Sequence, residues 1–343
     1  MVKCNLFVKG LIMKLSHADM RWNELMDEYF FCRSVRVATE WSYRKVLNGF
    51  RKFVGETLLP EDIRQQHVRE WRREVLKKQN RSTHTWNNKV RHMRAIFNFA
   101  CSSTLLNLSE NPFDGMNVRQ EKKRKKTLTK KQVKRILLIL EQFHEEEKRS
   151  DGVHWRSCAI RPAWYWMIVV NTLRFTGMRL NQLLHLRLRD VNLDERWIDL
   201  CSEGSKTHHE WRIPMVSHLV PGMRHLIDEA MKRGAGPEDY LFHYHRYVAL
   251  MSEAPFVTGL PELQPVKGFF RRLTKECGFP VSPHRFRHTL ASTLMSAPER
   301  NLYMVKTMLG HRNVSTTLEY VEIDLKGTAR VLEKELAELT DVF

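Results

Sequence analysis

This 343-residue chain offers little to crosslink it or to carry it through a membrane. Its six cysteines (Cys4, Cys32, Cys101, Cys158, Cys201, Cys277) are scattered with no C-x-x-C pair. That excludes a zinc-ribbon ligand set and argues against a disulfide framework, as expected of reduced thiols in a cytosolic protein. Glycine (15) and proline (12) are too sparse for a collagenous or low-complexity chain. The longest apolar run, Trp164 to Val170, falls well short of the roughly 18 residues that mark a membrane-spanning helix. Lys3, Lys9 and Lys14 interrupt the apolar residues near the start, so the continuous core of a secretory signal is missing and export is not expected. No P-loop, G-x-G-x-x-G, H-E-x-x-H or G-x-S-x-G occurs. Nucleotide-dependent, zinc-peptidase and serine-hydrolase chemistry therefore lose their sequence support. Neighbouring histidines such as His208-His209 and His243-x-His245 arise by chance among 16, so no metal and no cofactor is expected.

Acidic residues are also short. There are 39 against 57 Lys and Arg, a net charge of +18, which favours a polyanionic partner. With 42% hydrophobic residues the chain is globular, and its length suits two domains at about 150 residues each. The charge is unevenly spread. Ten Lys or Arg lie between Arg119 and Arg135 against the single acid Glu121, a net of +9 and half the total. Just upstream, Asn111-Pro112-Phe113-Asp114-Gly115 reads as a turn. The expected organisation is an N-terminal extension over 1–17, a helical domain over 18–114, a basic linker over 115–127 and a second domain over 128–343.

Periodicity makes the first half helical. Trp86, Val90, Met93, Phe97 and Ala100 step by four and three onto one helix face, with Lys89, Arg91 and Arg94 elsewhere. Tyr43 to Phe53 gives another helix with Thr39 as its cap, Ile63 to Val75 a third and Trp22 to Phe31 a fourth. The second half is mostly helical, with helices expected at 130–142, 164–173, 179–186, 218–232, 264–276, 285–296, 301–309 and 315–319. A strand, turn and strand run from Trp197 to Pro214. The predicted fold class is mainly α with a small antiparallel β-sheet.

Four segments of that half are specific in combination. They are Thr176-Gly177-Met178-Arg179, Gly204-Ser205-Lys206-Thr207, His284-Arg285-Phe286-Arg287-His288, and Leu309-Gly310-His311 followed nine residues on by Tyr320. In this order they resemble the tyrosine recombinase, or phage integrase, family, whose pattern is an Arg after a Thr-Gly turn, a hairpin Lys, a His-x-x-Arg helix, a Leu-Gly-His and a Tyr. The helical first half resembles the DNA-binding core-binding domain of that family, and the basic linker falls where the family joins its two domains. The resemblance spans nearly the whole chain from about residue 18. It implies Arg179, Lys206, His284, Arg287, His311 and Tyr320 as catalytic residues. Lys89, Arg91, Arg94, Lys122, Lys123, Arg124, Lys125 and Lys126 are the expected DNA contacts.

Phosphoryl transfer explains why such residues belong together. Negative charge grows on the non-bridging oxygens of the attacked phosphodiester, and stabilising it is the main catalytic task. Two arginine forks suit that task and stay charged. His284 and His311 add donors. Lys206 is the expected general acid for the leaving 5′ oxygen, and Tyr320 the nucleophile. His288 reads as a packing partner rather than a reactant. Relatives commonly carry an acid three residues after the first Arg, where this chain has Gln182.

The resemblance further implies a 3′-phosphotyrosyl intermediate, a Holliday junction and a homotetramer on paired double-stranded recombination sites, acting in the cytoplasm in association with the nucleoid. The short stretch before the first helix suggests a simple two-domain recombinase. An apolar stripe from Val331 to Phe343 suits a last helix docking on its own domain or on a neighbouring protomer. A silent DNA-binding protein of this fold, or a type IB topoisomerase, are the alternative readings.

Overall fold

A computed structural model describes residues 21–120, 126–149, 158–201, 211–248, 259–296, 302–311, 313–318 and 320. The chain divides into two compact units, residues 1–123 and 124–343.

The first unit is a helical cluster of α1 (Trp22–Cys32), α2 (Val37–Val54), α3 (Gln65–Arg73) and α4 (Thr83–Ser102). Its core is aromatic. Phe50 lies 5.8 Å from Trp22, 4.8 Å from Trp71 and 5.3 Å from Phe113, measured between ring centroids. Such offset and edge contacts add to the gain from burial itself. Ser82 caps α4 by accepting from the Thr85 N–H at 3.2 Å. Thr39 does not cap α2; that helix starts two residues earlier, with Arg36 at the N-cap position. The turn at 111–115 is stitched to α4, because Asn111 Nδ2 donates to the Arg94 carbonyl and to Asn98 Oδ1. Beyond it, Trp86 Nε1 donates to the Met116 carbonyl, and the Asn87 amide exchanges two bonds with the Val118 backbone. Chain packed on α4 therefore continues to Val118. The buried Phe113 and Met116 and these amides hold it there.

The second unit is built round α6 (Ala163–Thr176). That helix is buried on nearly every side, as its unbroken apolar run requires. Packed about it are α5 (Lys130–Arg149), α8 (Val220–Lys232) and α11 (Pro283–Met295). The intervening chain holds α7 (Leu180–Leu184), the strands β1 (Val191–Asn192), β2 (Trp197–Leu200) and β3 (Trp211–Pro214), α9 (Tyr244–Val248) and α10 (Leu263–Cys277). After α11 come α12 (Leu302–Leu309) and α13 (Val314–Leu318).

The strands form one antiparallel sheet in the order β1-β2-β3, with Val191 opposite Ile198, Ile198 opposite Ile213 and Leu200 opposite Trp211. Ile198, Leu200, Trp211 and Ile213 are buried, so alternate residues of the hairpin face the core. The expected helix over 179–186 is the single turn α7. Neither the two-residue β1 nor the five-residue α9 was expected, since elements that short carry no measurable period. A separate small cluster of Ala291, Met295, Val305, Leu309 and Tyr320 lies beside the main core. No described helix is long and apolar enough to cross a membrane.

Candidate active site

The site is assembled from helix ends. α6 stops at Gly177, whose φ of 62° is left-handed and whose N–H closes on the Leu173 carbonyl at 3.0 Å. Glycine takes that conformation without penalty. A Cβ there would stand 2.9 Å from Leu290 Cδ2 and 3.1 Å from Leu309 Cδ2. The turn delivers Arg179 to the N-cap of α7, where its N–H donates to Gln182 Oε1 at 2.8 Å. Gln182 thus performs the capping that a carboxylate would, but without the charge. Its Nε2 and the Arg179 Nη1 are buried without a hydrogen-bond partner. Burial lowers the Arg179 pKa, and the nearby Tyr320 opposes that shift.

Arg287, on α11, is 4% exposed. Its Nη1 donates to the Gly177 carbonyl at 2.8 Å and its Nη2 to the Leu309 carbonyl at 2.6 Å. These are the carbonyl ends of α6 and α12, where a cation is favoured by both the orphan acceptors and the helix dipoles. One guanidinium therefore ties two helix termini together. Burial first and the like charge of Arg179 second push its pKa down to about 10, against the attraction and hydrogen bond of Tyr320. At neutral pH both arginines remain charged. Among the described residues no carboxylate pairs with either of them.

Tyr320 is 4% exposed. Its hydroxyl lies 2.8 Å from His288 Nδ1, and its ring is parallel to that of His311 at 6.1 Å between centroids. The His311 Nδ1 meets Thr317 Oγ1 at 2.9 Å, and the His311 backbone N–H donates to the Lys306 carbonyl. His311 follows Gly310, whose φ is 62° and where a Cβ would overlap the Trp211 ring. Trp211 in turn donates from Nε1 to the Met308 carbonyl at 3.2 Å. The loop end of the β2-β3 strand pair is thereby fastened to the turn carrying His311. Lys206 lies between those two strands in sequence but outside the described residues. His284 is exposed on the first turn of α11, its ring 6.3 Å from that of His288.

Arg179, Arg287, His311 and Tyr320 are thus brought together, with His284 one helical turn from His288. Two contributors were not singled out from sequence as part of the site: His288, which touches the tyrosine oxygen, and Trp211, which anchors the Leu-Gly-His turn. The signal for His288 was its place four residues after His284 on one helix face. Trp211 gave none beyond strand alternation.

The basic residues expected to meet DNA differ in their surroundings. Arg91 and Lys126 are exposed. Lys89 is half-buried with its ammonium 5.1 Å from the Trp71 ring centre, and burial lowers its pKa. Arg94 is ion-paired to Asp114 at 3.3 Å. Lys122, Lys123, Arg124 and Lys125, and the tail from Val331 to Phe343, lie outside the described residues.

The phage integrase family model matches residues 126–326. A Pseudomonas aeruginosa protein carrying the provisional name tyrosine recombinase XerC is 34% identical over 310 residues, covering 90% of this chain and 70% of that protein. A Pseudomonas syringae protein of the same name is 35% identical over 301 residues, covering 88% and 61%. The chain therefore spans about two thirds of the length of these relatives. Among solved structures, a Tn1549 transposon integrase in complex with a circular intermediate DNA superposes with a TM-score of 0.68 at 20% identity, covering 93% of this chain and all of that one. A lambda integrase tetramer bound to a Holliday junction gives 0.61 at 15% identity, covering 89% and 78%. Those likenesses establish the fold. With a family model over more than half the chain and a relative one-third identical along nine-tenths of it, this protein belongs to the phage integrase family of tyrosine recombinases.

Proposed function

We propose that this chain cuts and rejoins DNA at specific sites by using Tyr320 as the nucleophile. The observation that carries the reading is the buried Tyr320, close to the buried Arg287 and to Arg179, with no carboxylate on either guanidinium among the described residues. Two uncompensated cations pay a desolvation cost unless an anion arrives. A scissile phosphate supplies it, and each fixed donor aimed at the developing charge contributes on the order of 100- to 1000-fold in rate.

Tyr320 attacks the phosphorus, a 3′-phosphotyrosyl bond forms, and the 5′ oxygen leaves with a proton from Lys206. His284 and His311 add donors, and Gly177 and Gly310 hold the arginine and histidine turns in place. Because the phosphoester bond is conserved in the tyrosyl link, the 5′ hydroxyl of a partner strand can reverse the step without a nucleotide cofactor. Two such exchanges pass through a Holliday junction. A homotetramer on paired duplex sites is supported by the shared fold of the lambda integrase tetramer on such a junction. Arg91, Lys126 and the basic residues at 122–125 are the proposed phosphate contacts, together with Lys89 and Arg94. We place the protein in the cytoplasm, associated with the nucleoid.

A nicked suicide duplex carrying the recombination site tests the reading. The wild-type chain should form an SDS-resistant protein-DNA adduct and Tyr320→Phe should form none. An adduct with Tyr320→Phe, or none with the wild type, refutes it.

A further inference from the structure

The short contact between His288 Nδ1 and the Tyr320 hydroxyl, 2.8 Å, has no part in the catalytic set read from the sequence. A tyrosine hydroxyl with a pKa near 10 is about one part in a thousand ionised at neutral pH. Its proton must therefore leave as the bond to phosphorus forms. An acceptor within about 2.6–3.2 Å of that oxygen and basic near neutrality is required.

Arginine cannot serve, because all five of its N–H groups donate and none accepts. The Arg287 guanidinium lies close enough to Tyr320 for the two to act on each other electrostatically, and it can only donate to the phenol oxygen. His288 Nδ1 stands at hydrogen-bond distance from the phenol oxygen to receive the proton. A neutral imidazole protonated on Nε2 presents an unprotonated Nδ1. The geometry around the pair is restrained. His288 is on α11 beside the clamped Arg287, the His311 ring lies parallel to Tyr320, and the Tyr320 N–H donates to the Thr317 carbonyl at 3.0 Å. With Tyr320 4% exposed, bulk water has poor access to the same proton.

We propose that His288 is the general base for Tyr320 in strand cleavage and its general acid in ligation. The inference rests on Tyr320 being the nucleophile. In cleavage the Tyr320 O–H bond breaks and its proton passes to His288 Nδ1. The oxygen's electron pair forms the bond to phosphorus, the bond from phosphorus to the 5′ oxygen breaks, and that oxygen takes a proton from the acid, Lys206. In ligation each transfer reverses, and the departing tyrosine oxygen recovers its proton from His288.

Two reactions of the full chain separate this role from a structural one. The first is single-turnover adduct formation on the suicide duplex, which moves the tyrosine proton. The second uses a duplex whose 3′ end carries a p-nitrophenyl phosphate, ligated to a 5′-hydroxyl strand by the Tyr320→Phe chain and read as released p-nitrophenolate. It needs the same arginine pocket, but its leaving group departs without a proton. His288→Ala should slow the first reaction by about 100- to 10,000-fold. Introduced beside Tyr320→Phe, it should change the second by less than about threefold. Added imidazole should restore part of the first and leave the second alone. Equal losses in both reactions, or an adduct rate within threefold of wild type, overturn the proposal. If the wild-type chain itself forms no adduct, the nucleophile assignment fails and this inference falls with it, an outcome distinguished by silence before any His288 change is made.

Discussion

Three left-handed glycines allow the strain and the packing at the catalytic turns to be measured separately. Gly278, Gly177 and Gly310 have φ values of 75°, 62° and 62°. At Gly278 a Cβ would meet nothing within 4 Å; at Gly177 it would press on the methyl ends of Leu290 and Leu309; at Gly310 it would overlap Trp211 Cη2 and Cζ2, with Cε2 2.9 Å away. The left-handed conformation alone costs an alanine about 1–2 kcal/mol, part of which is returned by the stiffer unfolded chain. Gly278→Ala should therefore lose about 1 kcal/mol. Leucine methyls can turn aside, so Gly177→Ala should lose about 2 kcal/mol. An indole held by its Nε1 bond to Met308 cannot, and overpacking adds about 1–3 kcal/mol. Gly310→Ala should then lose about 2–4 kcal/mol in all. For a unit of this size, 1 kcal/mol shifts Tm by about 2–4 °C, so the last variant should melt about 4–16 °C low. Circular dichroism melts give the order, and adduct assays well below each Tm give the activity. Gly310→Ala should react at least about tenfold slower by displacing His311, because misplacement by an ångström is expensive, whereas Gly278→Ala should match wild type. If Gly310→Ala melts within 1 °C of Gly278→Ala, the Trp211 contact does not fix the turn and the reasoning is wrong.

Arg287→Lys keeps the charge but loses the fork that reaches two helix ends. It should cost about 1.5–3 kcal/mol of stability for the charged bond it cannot replace and slow adduct formation at least about 100-fold; a melt and rate within error of wild type would contradict the clamp. Gln182→Glu keeps an acceptor for the Arg179 N–H, removes the orphaned amide and neutralises Arg179. Thermal melting should show a gain of about 1 kcal/mol, and a loss of that size would mean that Nε2 has a partner. DNA affinity should fall steeply with salt, with a log-log slope near −0.9 per phosphate neutralised. Exposed Arg91→Ala should flatten that slope by about one unit, while Arg94→Ala, already paired with Asp114, should leave it nearly unchanged. Equal slope changes for the two would show that the ion pair opens on DNA.

The sequence by itself determined the mainly helical class, the β2-β3 hairpin and most long helices. Apolar periodicity at 3.6 residues, or at two, is a local property that survives without tertiary contacts. It also supplied Arg179, Arg287, His311 and Tyr320 as candidates, because their order and spacing are written along the chain. It misplaced the start of α2 at Thr39 and stopped the packed segment at 114. Helix starts depend on backbone partners, and the hold on Met116 and Val118 comes from Trp86 and Asn87, some thirty residues away. Only the tertiary structure decided that Arg287 spends two donors on the carbonyl ends of α6 and α12, that Lys89 leans on Trp71, that Trp211 pins the turn before His311, and that His288 reaches the tyrosine oxygen. Each joins residues far apart along the chain, set by how separate elements meet in space, and no spacing rule along one chain encodes such a meeting.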